Sequence, residues 1–185
     1  MSARASYFKL VFSAAVAIAV PAISGCSADS DGQGQGSGQP STEIAAQPLS
    51  GTVGGRAFEP KTVDIRYLAS AGKWLLSIDN YETDCGVRSS ELDYASAISI
   101  NIGGIPAQSG TTSIAYGDQH AATFQIGVYE ASSGTEPDVR PAESGVLRID
   151  TWSDTPGGEI TGALKLSGED SAVEGTFTAK VCEPR

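Results

Sequence analysis

The chain has 185 residues, with 12 Lys plus Arg against 22 Asp plus Glu and a net charge of −10. An acid excess of this size repels phosphate backbones, which excludes nucleic acid as a partner. Once the N-terminal segments described next are set aside, about 140 residues remain, enough for one domain with one core.

Arg4 and Lys9 precede an apolar run from Leu10 to Ile23, and no acid occurs before Asp29. A membrane-spanning helix needs about 20 apolar residues, so a run of roughly 14 that contains Pro21 fits an export signal. The residues that follow, Ile23-Ser24-Gly25-Cys26, resemble the lipobox of bacterial lipoproteins. The resemblance implies that residues 1–25 are removed and that Cys26 becomes an acylated N-terminus. Cleavage by an ordinary signal peptidase at Ala17-Ile18-Ala19, or retention of the run as an anchor, are the alternatives. Three cysteines leave an unpaired thiol in an exported chain, unless Cys26 carries lipid.

The lipoprotein resemblance further implies a diacylglyceryl group and an amide-linked chain on Cys26. One acyl chain binds a membrane marginally, whereas more than one gives stable anchoring. Ser27, rather than an aspartate, follows the cysteine, and by that resemblance the destination is the outer membrane, on its periplasmic face or at the cell surface, in a host with two membranes. Loss of Arg4 and Lys9 takes the net charge from −10 to −12.

Residues 26–47 read as the lipidated cysteine and a tether. Ser27 to Gln47 is rich in Gly, Ser and Gln and has too few apolar residues to offset the entropy of ordering. As a flexible coil, some 20 residues span roughly 25 Å.

The folded domain is expected over residues 48–185. Leu49 to Val53 and Arg56 to Phe58 read as two strands joined by Gly54-Gly55, since two glycines tolerate the positive φ of a two-residue hairpin turn. In Thr62 to Ala69, Val63, Ile65 and Tyr67 alternate with polar neighbours, and after Gly72 the residues Trp74, Leu76 and Ile78 do the same. Ile98, Ile100 and Ile102 predict a strand closed by Gly103-Gly104. Phe124, Ile126 and Val128 predict another, and Leu147 with Ile149 a third. Glu159 to Val181 reads as a hairpin about the turn Ser167-Gly168-Glu169-Asp170. Ser90-Glu91-Leu92-Asp93 can start a single helical turn that nothing prolongs.

Eight or nine short strands with Gly-rich turns predict an all-β domain, an antiparallel β-sandwich of Greek-key or jelly-roll type. Irregular stretches at Asn80 to Ala95 and Ala131 to Ser144 argue against a closed, even barrel. Cys85 and Cys182 are expected to pair in an oxidising compartment. Two thiols and the single His120 do not make a four-ligand zinc cage.

Several stretches, Gly51-Thr52-Val53-Gly54-Gly55-Arg56-Ala57-Phe58, Cys85, Gly145-Val146-Leu147-Arg148-Ile149 and Val173 through Cys182, together resemble a group of uncharacterised bacterial lipoproteins, common in myxobacteria. The resemblance covers nearly the whole mature domain. It implies export and an all-β fold, and it carries no activity.

Chemistry is sparsely signalled. A serine triad would have to use His120, and there is no Gly-x-Ser-x-Gly elbow. Asn80, Glu82 and Asp84 at alternate positions, with Glu91 and Asp93 behind them, offer the hard oxygen ligands that calcium takes; in an extended segment the same residues form a solvent face. Asp79, Glu82, Asp84, Glu91 and Asp93 are also the candidates for a carboxylate hydrolase. Trp152, ahead of a turn-rich segment, suits sugar stacking or a protein contact, or else the rim of the core. The expectation is a membrane-anchored binding or structural module for an envelope protein or glycan. The alternatives are a small envelope hydrolase using carboxylates of the 80–95 region, or a calcium-dependent carbohydrate- or protein-binding module.

Overall fold

A computed structural model of the chain describes residues 43–88, 93, 95–127 and 136–184. The predicted signal, Cys26, the tether up to residue 42, the 90–92 segment and Val128 lie outside the described residues. Thirteen strands and no helix occur among the described residues: β1 (Ser50–Val53), β2 (Arg56–Phe58), β3 (Thr62–Leu68), β4 (Lys73–Asp79), β5 (Thr83–Asp84), β6 (Val87–Arg88), β7 (Ile98–Ile105), β8 (Gly110–Ala115), β9 (Ala122–Ile126), β10 (Asp138–Pro141), β11 (Ser144–Thr151), β12 (Glu159–Gly168) and β13 (Ser171–Val181). The all-β expectation holds, but eleven of these strands belong to one curled, mixed sheet instead of two separate ones.

The local pattern explains the hairpins. Gly54 and Gly55 both adopt positive φ (56° and 72°), and β1 returns as β2 in the register Thr52–Ala57. Period-2 alternation puts Ile65, Leu76, Ile78, Ile100 and Phe124 on one face, where all are fully buried. Strand β7 does not stop at Gly103-Gly104. Trp74 pairs with Ile105 while Leu75 pairs with Gly103, so Gly104, at φ 75°, is the extra residue of a bulge that bends the strand and lets it continue.

The main sheet runs β10-β9-β7-β4-β3-β13-β12-β11-β8. Its one parallel contact between named strands is β13 on β3, at Lys180–Asp64 and Val181–Ile65. The N-terminal half of the same β13 edge takes β1, at Ser50–Glu174. Connectivity dictates the curl. β10 and β11 lie seven strand spacings apart, roughly 34 Å in a flat sheet, yet only Ala142 and Glu143 join them, a reach of about 11 Å. The sheet therefore rolls until its flanks meet, and the link is stitched to both. The Ala142 N–H donates to the Ala122 carbonyl (2.8 Å) and the Glu143 N–H to the Ser167 carbonyl (2.9 Å).

Rolling brings the two flanks onto one core. Leu76, Ile78, Ile98, Ile100, Ile102 and Phe124 from one side share a cluster with Leu147, Ile160, Leu164, Leu166, Val173 and Phe177 from the other. Each such side chain contributes about 1.5–3 kcal/mol by leaving water. The β1–β2 turn reaches across the roll: a Cβ on Gly54 would sit 2.2 Å from Ile126 Cδ1.

Packing begins upstream of Pro48. Ile44 is buried, the Ala45 N–H donates to Glu174 Oε1 (2.8 Å), and the Gln47 carbonyl accepts from the Thr176 N–H (2.7 Å). Gly175, at φ 144°, makes room for this approach, since a Cβ there would lie 2.6 Å from both Gln47 O and Leu49 Cα. Gly175→Ala is expected to cost about 1–3 kcal/mol by overpacking. Urea unfolding at constant slope measures it, and an unshifted midpoint would show that residues 47–49 do not dock on β13.

Candidate functional site

Strands β3, β4, β7 and β9 are successive neighbours, so their outward residues line up in rows. One row is Thr62, Asp79, Ser99 and Gln125; the next is Asp64, Ser77, Asn101 and Thr123. The outward face of an antiparallel sheet usually meets water. Here Asp64, Arg66, Ser77, Asp79 and Ser99 are buried, because residues 80–88, including the β5–β6 ribbon, lie over the face as a roof.

The roof is held at several points. Cys85 is disulfide-bonded to Cys182, just past β13, with Cα atoms 5.6 Å apart, as expected from the sequence. The Thr83 N–H donates to Thr62 Oγ1 (3.0 Å), and the Tyr81 and Ser99 hydroxyls share a 2.8 Å hydrogen bond. Cys85 and Gly86 turn the ribbon at positive φ (51° and 73°). A side chain at Gly86 would strike the Arg66 guanidinium, 2.4 Å from Nη2, so this glycine lets the roof lie flat on Arg66.

Beneath the roof is a cavity of about 190 Å³ whose lining includes Arg66, Leu75, Ser77, Asp79, Asn101 and Gln125. Its polar groups are braced from behind. Arg66 Nη2 donates to Asp64 Oδ1 at 2.7 Å, the Ser77 hydroxyl donates to Asn101 Oδ1 at 3.1 Å, Ser99 donates to Asp79, and Gln125 Nε2 donates to the Gly127 carbonyl at 3.2 Å. Arg66 Nε is buried and has no hydrogen-bond partner among the described residues, a state that costs about 1–3 kcal/mol when nothing fills it. The arrangement offers fixed donors and acceptors of both kinds beside one half-buried apolar side chain, Leu75.

Apart from Asp79, which lines the cavity, the residues singled out in the sequence are placed elsewhere. Asn80 ties the end of β4 to the start of β7, accepting from the Ile98 N–H (2.7 Å) and donating to the Ser96 carbonyl (3.1 Å). Glu82 is exposed. Asp84 turns to Lys180 of β13 (3.0 Å). Since β7 and β13 are three strand spacings apart, roughly 14 Å, the fold sends Asn80 and Asp84 to different strands and does not gather them into one ligand set. Among the described residues no group of three or more His, Cys, Asp or Glu is placed to hold a metal ion. Asp93 closes a local turn, where hydrogen bonding with Ser96 and the Ala95 N–H holds its carboxyl below the usual range. Glu91 lies outside the described residues.

His120 Nδ1 sits 2.7 Å from the Gly104 carbonyl and pins its loop to the β7 bulge. Trp152 is half-buried against the core, edge-on to Trp74 with ring centroids 5.1 Å apart, and Trp74 in turn meets Tyr67 at 5.4 Å. Its packing is that of a core rim.

No protein-family model, curated protein or solved structure matches the chain. Of the cavity residues, sequence reasoning reached only Asp79. Arg66, Ser77, Asn101 and Gln125 sit at alternate strand positions and carry the same signal as any solvated face.

Proposed function

We propose that this protein is a lipid-anchored module of the bacterial envelope that binds a ligand through the roofed polar cavity on the β3-β4-β7-β9 face. The rolled sheet serves as a sandwich-like scaffold, and residues 26–42 serve as the spacer from the membrane. The observation that carries the binding reading is the cavity, in which polar groups are oriented by neighbours behind them and one apolar side chain is available. Polar groups fixed in advance are what orients a ligand in a binding site. A two-carboxylate hydrolase needs a second acid facing Asp79 across the site. Among the described residues Asp79 is the single carboxylate in the lining, while Asp64 is paired to Arg66.

Anchoring is tested by metabolic labelling with a fatty acid in a bacterial host. Label is expected on the wild type and absent from Cys26→Ala, and label retained in that variant would overturn the anchor. Binding is tested by a photo-crosslinker placed at Gln125 in intact cells. Reproducible capture of an envelope component is expected, and no capture would remove the binding reading.

A further inference from the structure

We propose that the open edge of β8 pairs with β8 of a second copy of this chain, antiparallel and centred on Ser113. The inference is independent of the cavity. Strand β8 ends the main sheet and has β11 as its single strand neighbour among the described residues. Such an edge offers a row of open N–H and C=O groups, which proteins blunt with charges, proline, a bulge or a short strand. At the far end of the sheet, β10 carries the Arg140–Asp138 pair and ends at Pro141. The side branch ends in β2, three residues long and beginning with Arg56. Strand β8 has none of these devices, since Gly110 to Ala115 is uncharged and keeps an unbroken register with β11.

Backbone direction fixes how two copies can meet. The Tyr116 N–H donates to the Glu143 carbonyl on the β11 side (3.4 Å). Because successive residues of a strand alternate in this respect, Thr111, Ser113 and Ala115 present their backbone groups at the open edge. The Ala115 carbonyl also accepts from the Asp118 N–H (3.2 Å) and keeps a second lone pair. In the pair centred on Ser113, that residue faces its own copy and Thr111 faces Ala115, all as hydrogen-bonded pairs. Thr112 then faces Ile114, and Gly110 faces Tyr116, in the closer pairs between them.

The contact of Gly110 with Tyr116 points to a second copy as the occupant. Tyr116 is 72 % exposed, and nothing lies within 4 Å of the place a Cβ on Gly110 would take. By alternation both belong to the face of Ile114, and they flank Ser113 symmetrically. A twofold pair therefore lays each Tyr116 ring over the glycine of the other copy. An aromatic ring across from an edge glycine stabilises a sheet. Charge agrees with this choice. Two copies of a chain with net charge −10 repel each other, but the seam falls between Asp93 and Asp118, a stretch with no charged residue. On neighbouring β11, Arg148 and Asp150 balance each other. A seam of one strand against one strand is a small interface, so the dimer is weak and reversible.

The test is oxidative crosslinking of full-length Ser113→Cys in intact bacterial cells, with the wild type, Thr111→Cys and Val139→Cys as controls. All three positions are exposed, so each variant should keep the wild-type melting temperature. Facing Ser113 residues have Cα atoms about 5.5 Å apart, within disulfide reach. Two copies of Thr111 are offset by about 13 Å along the strands and are out of reach. A reducible dimer is expected from Ser113→Cys, and only the wild-type background from the two other variants. Adding Tyr116→Ala to Ser113→Cys should lower the dimer yield about two- to fivefold. No dimer above background from Ser113→Cys, or as much from Thr111→Cys or Val139→Cys, would overturn the pairing. A yield unmoved by Tyr116→Ala would overturn the register. A crosslink from Ser113→Cys to a different protein in place of the dimer would overturn the second copy as occupant.

Discussion

Replacing Cys85 and Cys182 together by alanine is expected to lower the melting temperature by roughly 10–15 °C. The disulfide spans 97 residues of sequence, and closing a loop of that length restricts the unfolded chain by about 4–5 kcal/mol in the chain-entropy account, with losses of about 2–5 kcal/mol typical when native bridges are removed. The fold adds a local consequence. Without the bridge, the roof over Asp64 and Arg66 is held chiefly by the Tyr81–Ser99 and Thr83–Thr62 hydrogen bonds and by the exposed Asp84–Lys180 pair. An exposed ion pair contributes little. Amide exchange should therefore quicken in residues 80–88 more than in the core strands. A melting temperature within about 2 °C of the wild type would show that the roof is not part of the cooperative unit.

Arg66→Met is expected to cost about 3–5 kcal/mol, because it leaves the Asp64 carboxylate buried without its partner. Asp64 is 1 % exposed and the Arg66 side chain 9 %, so water cannot replace the lost pairing. The double variant Asp64→Leu/Arg66→Met should recover most of the loss, since an apolar pair of similar volume carries no desolvation penalty. Urea denaturation of the three variants and the wild type, read as midpoints at constant slope, gives the coupling directly. A single-variant cost below about 1 kcal/mol would mean that the face under the roof is open to water.

Local features were legible because strand alternation and turn chemistry act over a few residues. Ile98, Ile100 and Ile102 announce a strand, and Gly54-Gly55 announces a two-residue turn wherever the hairpin sits in the fold. Strands β8 and β10 carried no such mark. In β8 only Ile114 is buried, and β10 is a polar, four-residue edge strand ending at Pro141. An edge strand is paired on one side, so its sequence needs no continuous apolar face.

By itself the sequence determined the all-β class, the hairpins, and the two cysteines that an oxidising compartment would join. It also supplied the basis for expecting export and a lipid anchor at Cys26. The tertiary structure decided that the strands form one rolled sheet, that β13 meets β3 in parallel, and that Asp64, Ser77, Asp79 and Ser99 on the outward face are buried instead of wet. The reason is the range of the forces involved. Alternation sets which side chains share a face, but whether that face meets water depends on the two-residue link that rolls the sheet and on a bridge between residues 97 positions apart, neither of which leaves a trace in the residues they cover.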